Sequence, residues 1–106
     1  MNPTIQTITL EMEDARQMVE QHKALERLMV NPDFAALVTE GFAKKEAIRL
    51  VNFRASDEVQ DNEALLKRVD RGIDAIGYLQ EYFRKIEIHG QMAAEKIQEY
   101  MDEGLV

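Results

Sequence analysis

From Thr9 onward, apolar residues recur at steps of three and four. Met12, Ala15, Met18, Val19, His22, Leu25, Leu28 and Met29 keep that spacing, which marks one helical face turned to a core. Thr9 is placed to cap this helix, and Glu11, Glu13 and Asp14 sit in its first turns, where carboxylates complement the positive end of the helix dipole. A helix is therefore expected over about 9–30, after an N-terminal arm over 1–8. Asn31-Pro32-Asp33 reads as a restart, because Asn caps, Pro tolerates the first helical position and Asp favours the second. A second helix is expected over 32–54, broken near Gly41, with Phe42, Ala43, Ala47, Leu50 and Val51 on its apolar side. Ser56, Asp57, Asp61 and Asn62 form a polar bridge suited to capping the next helix. That last helix, about 62–102, carries Leu66, Val69, Ile73, Ile76, Leu79, Phe83, Ile86, Ala93, Ile97 and Tyr100 on the same rhythm.

The spacing implies an all-α fold: a helical hairpin or three-helix arrangement with one long C-terminal helix, packed in coiled-coil fashion. The helix lengths do not match. A last helix of roughly 40 residues spans about 60 Å, against about 33 Å for the first helix and about 20 Å for the middle one. Met12, Met18, Leu25 and Leu28 are expected to pack against Leu50, Val51, Val69, Ile73, Ile76 and Phe83. The distal stretch 86–101 is then left with Ile86, Met92, Ala93, Ile97, Tyr100 and Met101, an apolar stripe in want of a partner. Gly72, Gly77 and Gly90 lie inside the long helix, each at a cost of about 1 kcal/mol relative to alanine. Close approach of another helix or a local kink is the expected offset. Contact with a ligand is the alternative, although no Gly-x-Gly-x-x-Gly follows a strand.

Composition narrows the class. The 106 residues hold 20 acidic and 13 basic side chains, a net charge of −7, and at this length one domain with a thin core is expected. The 45% hydrophobic and 31% charged fractions exclude a disordered tail or a collagen-like repeat. No apolar run reaches the roughly 18 residues of a membrane span, and Met-Asn-Pro-Thr does not read as the start of a signal peptide. With no cysteine, disulfides, thiolate-held zinc and cysteine catalysis are ruled out.

Candidate chemistry is sparse. His22 falls on the apolar stripe and reads as a core residue, while His89 lies in the charged middle of the last helix. Neither has an acid three residues before it, so the Glu-x-x-His pattern of di-metal bundles is not met. Asp57, Glu58 and Asp61 lack the glycine and terminal glutamate of a calcium loop, and capping is the better reading. Ser56 is the only serine and sits in no nucleophile elbow. Lys44, Lys45 and Arg49, and Lys67, Arg68 and Arg71, are interleaved with Glu46, Glu63, Asp70 and Asp74, a solvated two-signed face rather than a nucleic-acid site. Tyr78 and Tyr82 share one face a turn apart, beside Leu79, Phe83 and Ile86. They either ring the core or anchor a partner, since amphipathic aromatics concentrate at interface hot spots.

The blocks Asn31-Pro32-Asp33-Phe34, Glu40-Gly41-Phe42, Glu46-Ala47-Ile48-Arg49-Leu50-Val51, Ile73-Asp74-Ala75-Ile76-Gly77-Tyr78-Leu79 and Tyr82-Phe83-Arg84 occur in an order that resembles a group of small all-helical proteins of tailed bacteriophages. The likeness covers about residues 10 to 100 and rests on packing and turn motifs. It implies a phage gene product of a group described as uncharacterised or as structural or virion-associated, and it carries over no catalytic residue; the expected location is the host cytoplasm and the virion. The end Asp102-Glu103-Gly104-Leu105-Val106 departs from the longer Glu-rich end of that group.

The expected function is non-catalytic: a phage structural or assembly protein whose distal helix self-associates or docks on a virion component. The alternative is an early inhibitor that binds a host enzyme such as a polymerase or nuclease. Partner-binding residues are expected at Tyr78, Tyr82, Ile86, Met92, Ile97, Tyr100 and Met101. A homo-oligomer or a phage protein partner is implied, with no cofactor, no metal, no direct nucleic acid and no membrane.

Overall fold

The computed structural model describes residues 4–105, and the expected arm over 1–8 lies partly outside them. The helices are α1 (Ile5–Met29), α2 (Pro32–Phe34), a π-helix π1 (Ala35–Glu46), α3 (Ala47–Arg54), α4 (Asp57–Gln60) and α5 (Glu63–Asp102), and no strand occurs among the described residues. The fold is all-α with one long C-terminal helix. None of the described helices is long and apolar enough to cross a membrane.

One helix start differs from the sequence expectation. α1 begins at Ile5, because the Thr4 hydroxyl accepts from the Thr7 amide at 3.1 Å and does the capping expected of Thr9. Thr9 instead donates its hydroxyl to the Ile5 carbonyl at 2.9 Å, and Ile8 is buried. The restart at Asn31 forms as its sequence implies: its side-chain oxygen accepts from the Asp33 and Phe34 amides at 2.9 and 3.1 Å, ahead of Pro32. The expected break near Gly41 is absent. The half-buried positions here are 34–35, 38–39, 41–43 and 46–47, a spacing of about four that is wider than the α-helical turn of about 3.6 residues and accompanies the wider turn of this segment. A Cβ at Gly41 would lie 2.8 Å from the Ala36 carbonyl oxygen, so glycine lets the wide helix run through this point.

The chain divides into two compact units, one formed by residues through Arg27 with those from Phe83 onward, the other by Leu28–Tyr82. In the second unit, Leu50, Val59, Val69 and Ile76 form the core, with Phe42, Ala47, Phe53, Leu65, Leu66 and Ile73 packed around it. Burying a side chain of this size stabilises by roughly 1.5–3 kcal/mol. Val59 is wholly buried, although it stands alone in a polar stretch. Asn62, rather than Ser56, caps α5 by accepting from the Leu65 amide at 3.1 Å, whereas Ser56 donates to the Phe53 carbonyl at 2.6 Å. Local ion pairs tie the two-signed surface of this unit, among them Lys67–Glu63 at 3.5 Å and Arg54–Asp70 at 2.5 Å.

In the first unit, α1 runs antiparallel to the distal part of α5: Glu11 meets Lys96 and Tyr100, while His22 lies against Gly90. Ile8, Met12, Ala15, Leu25 and Ala93 are its buried apolar residues. This corrects the expectation that Met12, Met18 and Leu25 pack on the Leu50–Val69–Ile76 cluster. The short connections at 55–56 and 61–62 fold residues 32–60 back on the first part of α5, which leaves its distal part for α1.

Along α5 itself, Leu65, Val69, Gly72, Ile76, Leu79, Phe83, Ile86, Gly90, Ala93, Ile97 and Tyr100 are all buried or half-buried, in unbroken alternation of four and three. Gly72 and Gly90 belong to this seam. A Cβ at Gly72 would come within 3.1 Å of a Leu50 methyl, and one at Gly90 within 2.7 Å of the His22 ring. Gly77 has open space around it, so close approach does not account for that glycine. Gly104, at φ 72°, ends α5, with the Leu105 amide reaching back to the Tyr100 carbonyl at 2.9 Å.

Candidate functional site

In the first unit the seam is closed by polar contacts at one end. Tyr100 donates its hydroxyl to the Glu11 carboxylate, and Lys96 approaches the same carboxylate at 3.3 Å with its ammonium 5.9 Å from the centre of the Tyr100 ring. The Tyr100 hydrogen bond, followed by the Lys96 contact, lowers the pKa of Glu11, and the same hydrogen bond raises that of Tyr100. His22 sits further along the seam with Nε2 3.3 Å from Glu26.

Beside this seam lies a groove of about 350 Å³. Ala15 and Ala93 form its floor, Met18 and Met92 its apolar walls, and Glu11, Asp14, His89 and Lys96 its charged or polar margins. Two alanines at the bottom let the methionines stand above it. Met92 is 62% exposed and Met18 39%.

The expected partner-binding residues divide between the units. Met92 and Met101 are exposed. Ile86, Ile97 and Tyr100 are half-buried on the seam that faces α1, so their apolar surface is used within the chain, and this corrects their placement on an outward face. The physical reason is the reach of α1, which extends along the distal part of α5 that a comparison of lengths leaves uncovered. In the second unit, Tyr78 is 78% and Tyr82 52% exposed. Tyr78 comes two residues after the buried Ile76, about 200° around the helix, and does not ring the core. Ile48 and Val51, one turn apart on α3, are also exposed.

Apolar spacing assigns Met18 to the core and gives Ala15 and His89 no part in a surface. The signal that could have found the groove is the small residue on each helix, since alanine at a seam position leaves a trough that its larger neighbours border. Among the described residues no group of three or more His, Asp or Glu side chains is placed to hold a metal ion. No protein-family model matches the chain, nor does any curated protein or solved structure.

Proposed function

We propose that the chain is a non-catalytic phage structural or assembly protein that works by helix-mediated association, with itself or with a component of the virion. The observation behind this reading is the large apolar surface left in water after the helices have packed. Ile48, Val51 and Tyr78 stand exposed on one unit, and Met92 and Met101 on the other. Apolar groups so placed mark interaction surfaces when they cluster, and the helix pair of the first unit holds Met18 and Met92 together on one groove. Methionine suits contacts that must form and re-form, because its unbranched side chain adapts to its partner. The net charge of −7 opposes direct contact with phosphate backbones. The resemblance of the Asn31-Pro32-Asp33-Phe34 and Tyr82-Phe83-Arg84 blocks to small phage proteins supplies the setting.

Mass spectrometry of purified virions and procapsids tests the proposal. The chain is expected in one or both, at a fixed ratio to the major capsid component. Absence from both, with stoichiometric co-purification on one host enzyme from infected cells, would replace this reading with that of an inhibitor.

A further inference from the structure

The groove of the first unit has walls of unlike charge. On the α1 side stand Glu11, Asp14 and Met18, and on the α5 side His89, Met92 and Lys96. Lys96 holds Glu11 of its own chain, whereas Asp14 has no ion-pair partner among the described residues. A surface that is acidic and apolar on one side and basic and apolar on the other is complementary to itself.

We propose that this groove is the face through which two copies of the chain join, about a twofold axis running along the helix pair. Such an axis sets α1 of one copy over α5 of the other at the same height. Heights are set by the contact of His22 with Gly90 and the helical rise of about 1.5 Å per residue. Met18 lies four residues from that contact and Met92 two, so they differ by about 3 Å in height. Asp14 lies eight residues away and Lys96 six, again about 3 Å apart. Met18 therefore packs on Met92 of the second copy, and Asp14 meets Lys96 of the second copy, each contact occurring twice. A twofold axis perpendicular to the helices would instead lay α1 on α1 and bring the acidic walls together, which repulsion disfavours. The result is a four-helix arrangement of the kind that buries its apolar walls between two helix pairs.

This proposal rests on the association reading above and specifies its occupant. The chain has no cysteine, so single cysteines report without interference. M18C and M92C are prepared separately, mixed and mildly oxidised. The expected product is the mixed M18C–M92C disulfide, several-fold in excess of its statistical share over either homodimer. In sedimentation equilibrium the wild type is expected to be a dimer. Met92→Glu and Asp14→Lys are each expected to weaken it at least tenfold, with unchanged helical circular dichroism. A wild type that remains monomeric at high micromolar concentration overturns the proposal, whether or not the chain is found in virions. A dimer indifferent to Met92→Glu, or one in which M18C pairs with itself, also overturns it. In those two cases association persists through another face, and the broader functional reading stands.

Discussion

Replacing Gly90 by alanine should loosen the first unit, although alanine is the better helix former. A Cβ at this position would lie 2.7 Å from Cγ and Nδ1 of His22 and closer still to its Cβ, where carbon atoms rest at about 3.5–4.0 Å. The imidazole can turn away, but its Cβ is fixed to the α1 backbone, so the two helices must part by about 1 Å to restore that separation. Overpacking of this sort costs about 1–3 kcal/mol, and the gain in helix propensity offsets about 1 kcal/mol. With a Cβ–Cβ overlap that no rotamer relieves, the upper end applies and the net loss is about 2 kcal/mol. At tenfold per roughly 1.4 kcal/mol, that is a rise of about 25-fold in local opening. Amide hydrogen exchange on the full chain is the suitable assay, because two units with separate cores need not unfold in one step. Faster exchange is expected in α1 and in 83–102, and little change in 42–76. His22→Ala should not rescue Gly90→Ala, since it keeps the Cβ, whereas His22→Gly should, despite its own helix cost. Protection of the first unit that rises in Gly90→Ala, or equal rescue by both substitutions, would mean that the two backbones do not approach closely here.

Gly77→Ala is the counterpart: with nothing near its Cβ, it should gain up to about 1 kcal/mol, seen as slower exchange or a higher denaturation midpoint. Val59→Ala removes two methyl groups from a fully buried site and should cost the second unit about 2 kcal/mol, at about 0.8 kcal/mol per methyl plus a cavity contribution, read by denaturant unfolding. Tyr100→Phe removes the main cause of the lowered Glu11 pKa, so carboxyl NMR should find Glu11 titrating at higher pH, still held below its ordinary value by Lys96. By linkage, the stability Glu11 gains is present above its unfolded pKa and is lost as pH falls through the folded one. That of Tyr100, whose folded pKa is raised, is present below its unfolded pKa and is lost as pH rises through the folded one. An unmoved Glu11 titration in Tyr100→Phe would show that the hydrogen bond does not form.

Much of the helical plan is legible in the chain because caps and periodicity are local. Asn31-Pro32-Asp33 places one helix start, and the unbroken three-four rhythm after Asn62 carries one long helix. The pairing of helices is not local. Val19, His22 and Leu25 announce an apolar face without saying which part of α5 it meets, and that choice is made by short connections elsewhere, at 55–56 and 61–62. Glycine is ambiguous for the same reason. Gly72, Gly77 and Gly90 look alike in sequence, yet only two of them face a neighbouring side chain. Val59 leaves no trace in the pattern, because a single apolar residue in Ser56–Asn62 has no period. The candidate surface is half legible: Met92, Met101 and Tyr78 stand outward, while Ile86, Ile97 and Tyr100 are taken up by α1.

The pairing of α1 with the distal part of α5 is tested most directly by the nuclear Overhauser contacts of the His22 ring in the full chain. Cross-peaks are expected to the Gly90 α-protons and to neighbouring seam residues of 86–93. Cross-peaks from that ring to the methyl groups of Leu50, Val69 or Ile76, without any to Gly90, would mean that α1 packs elsewhere.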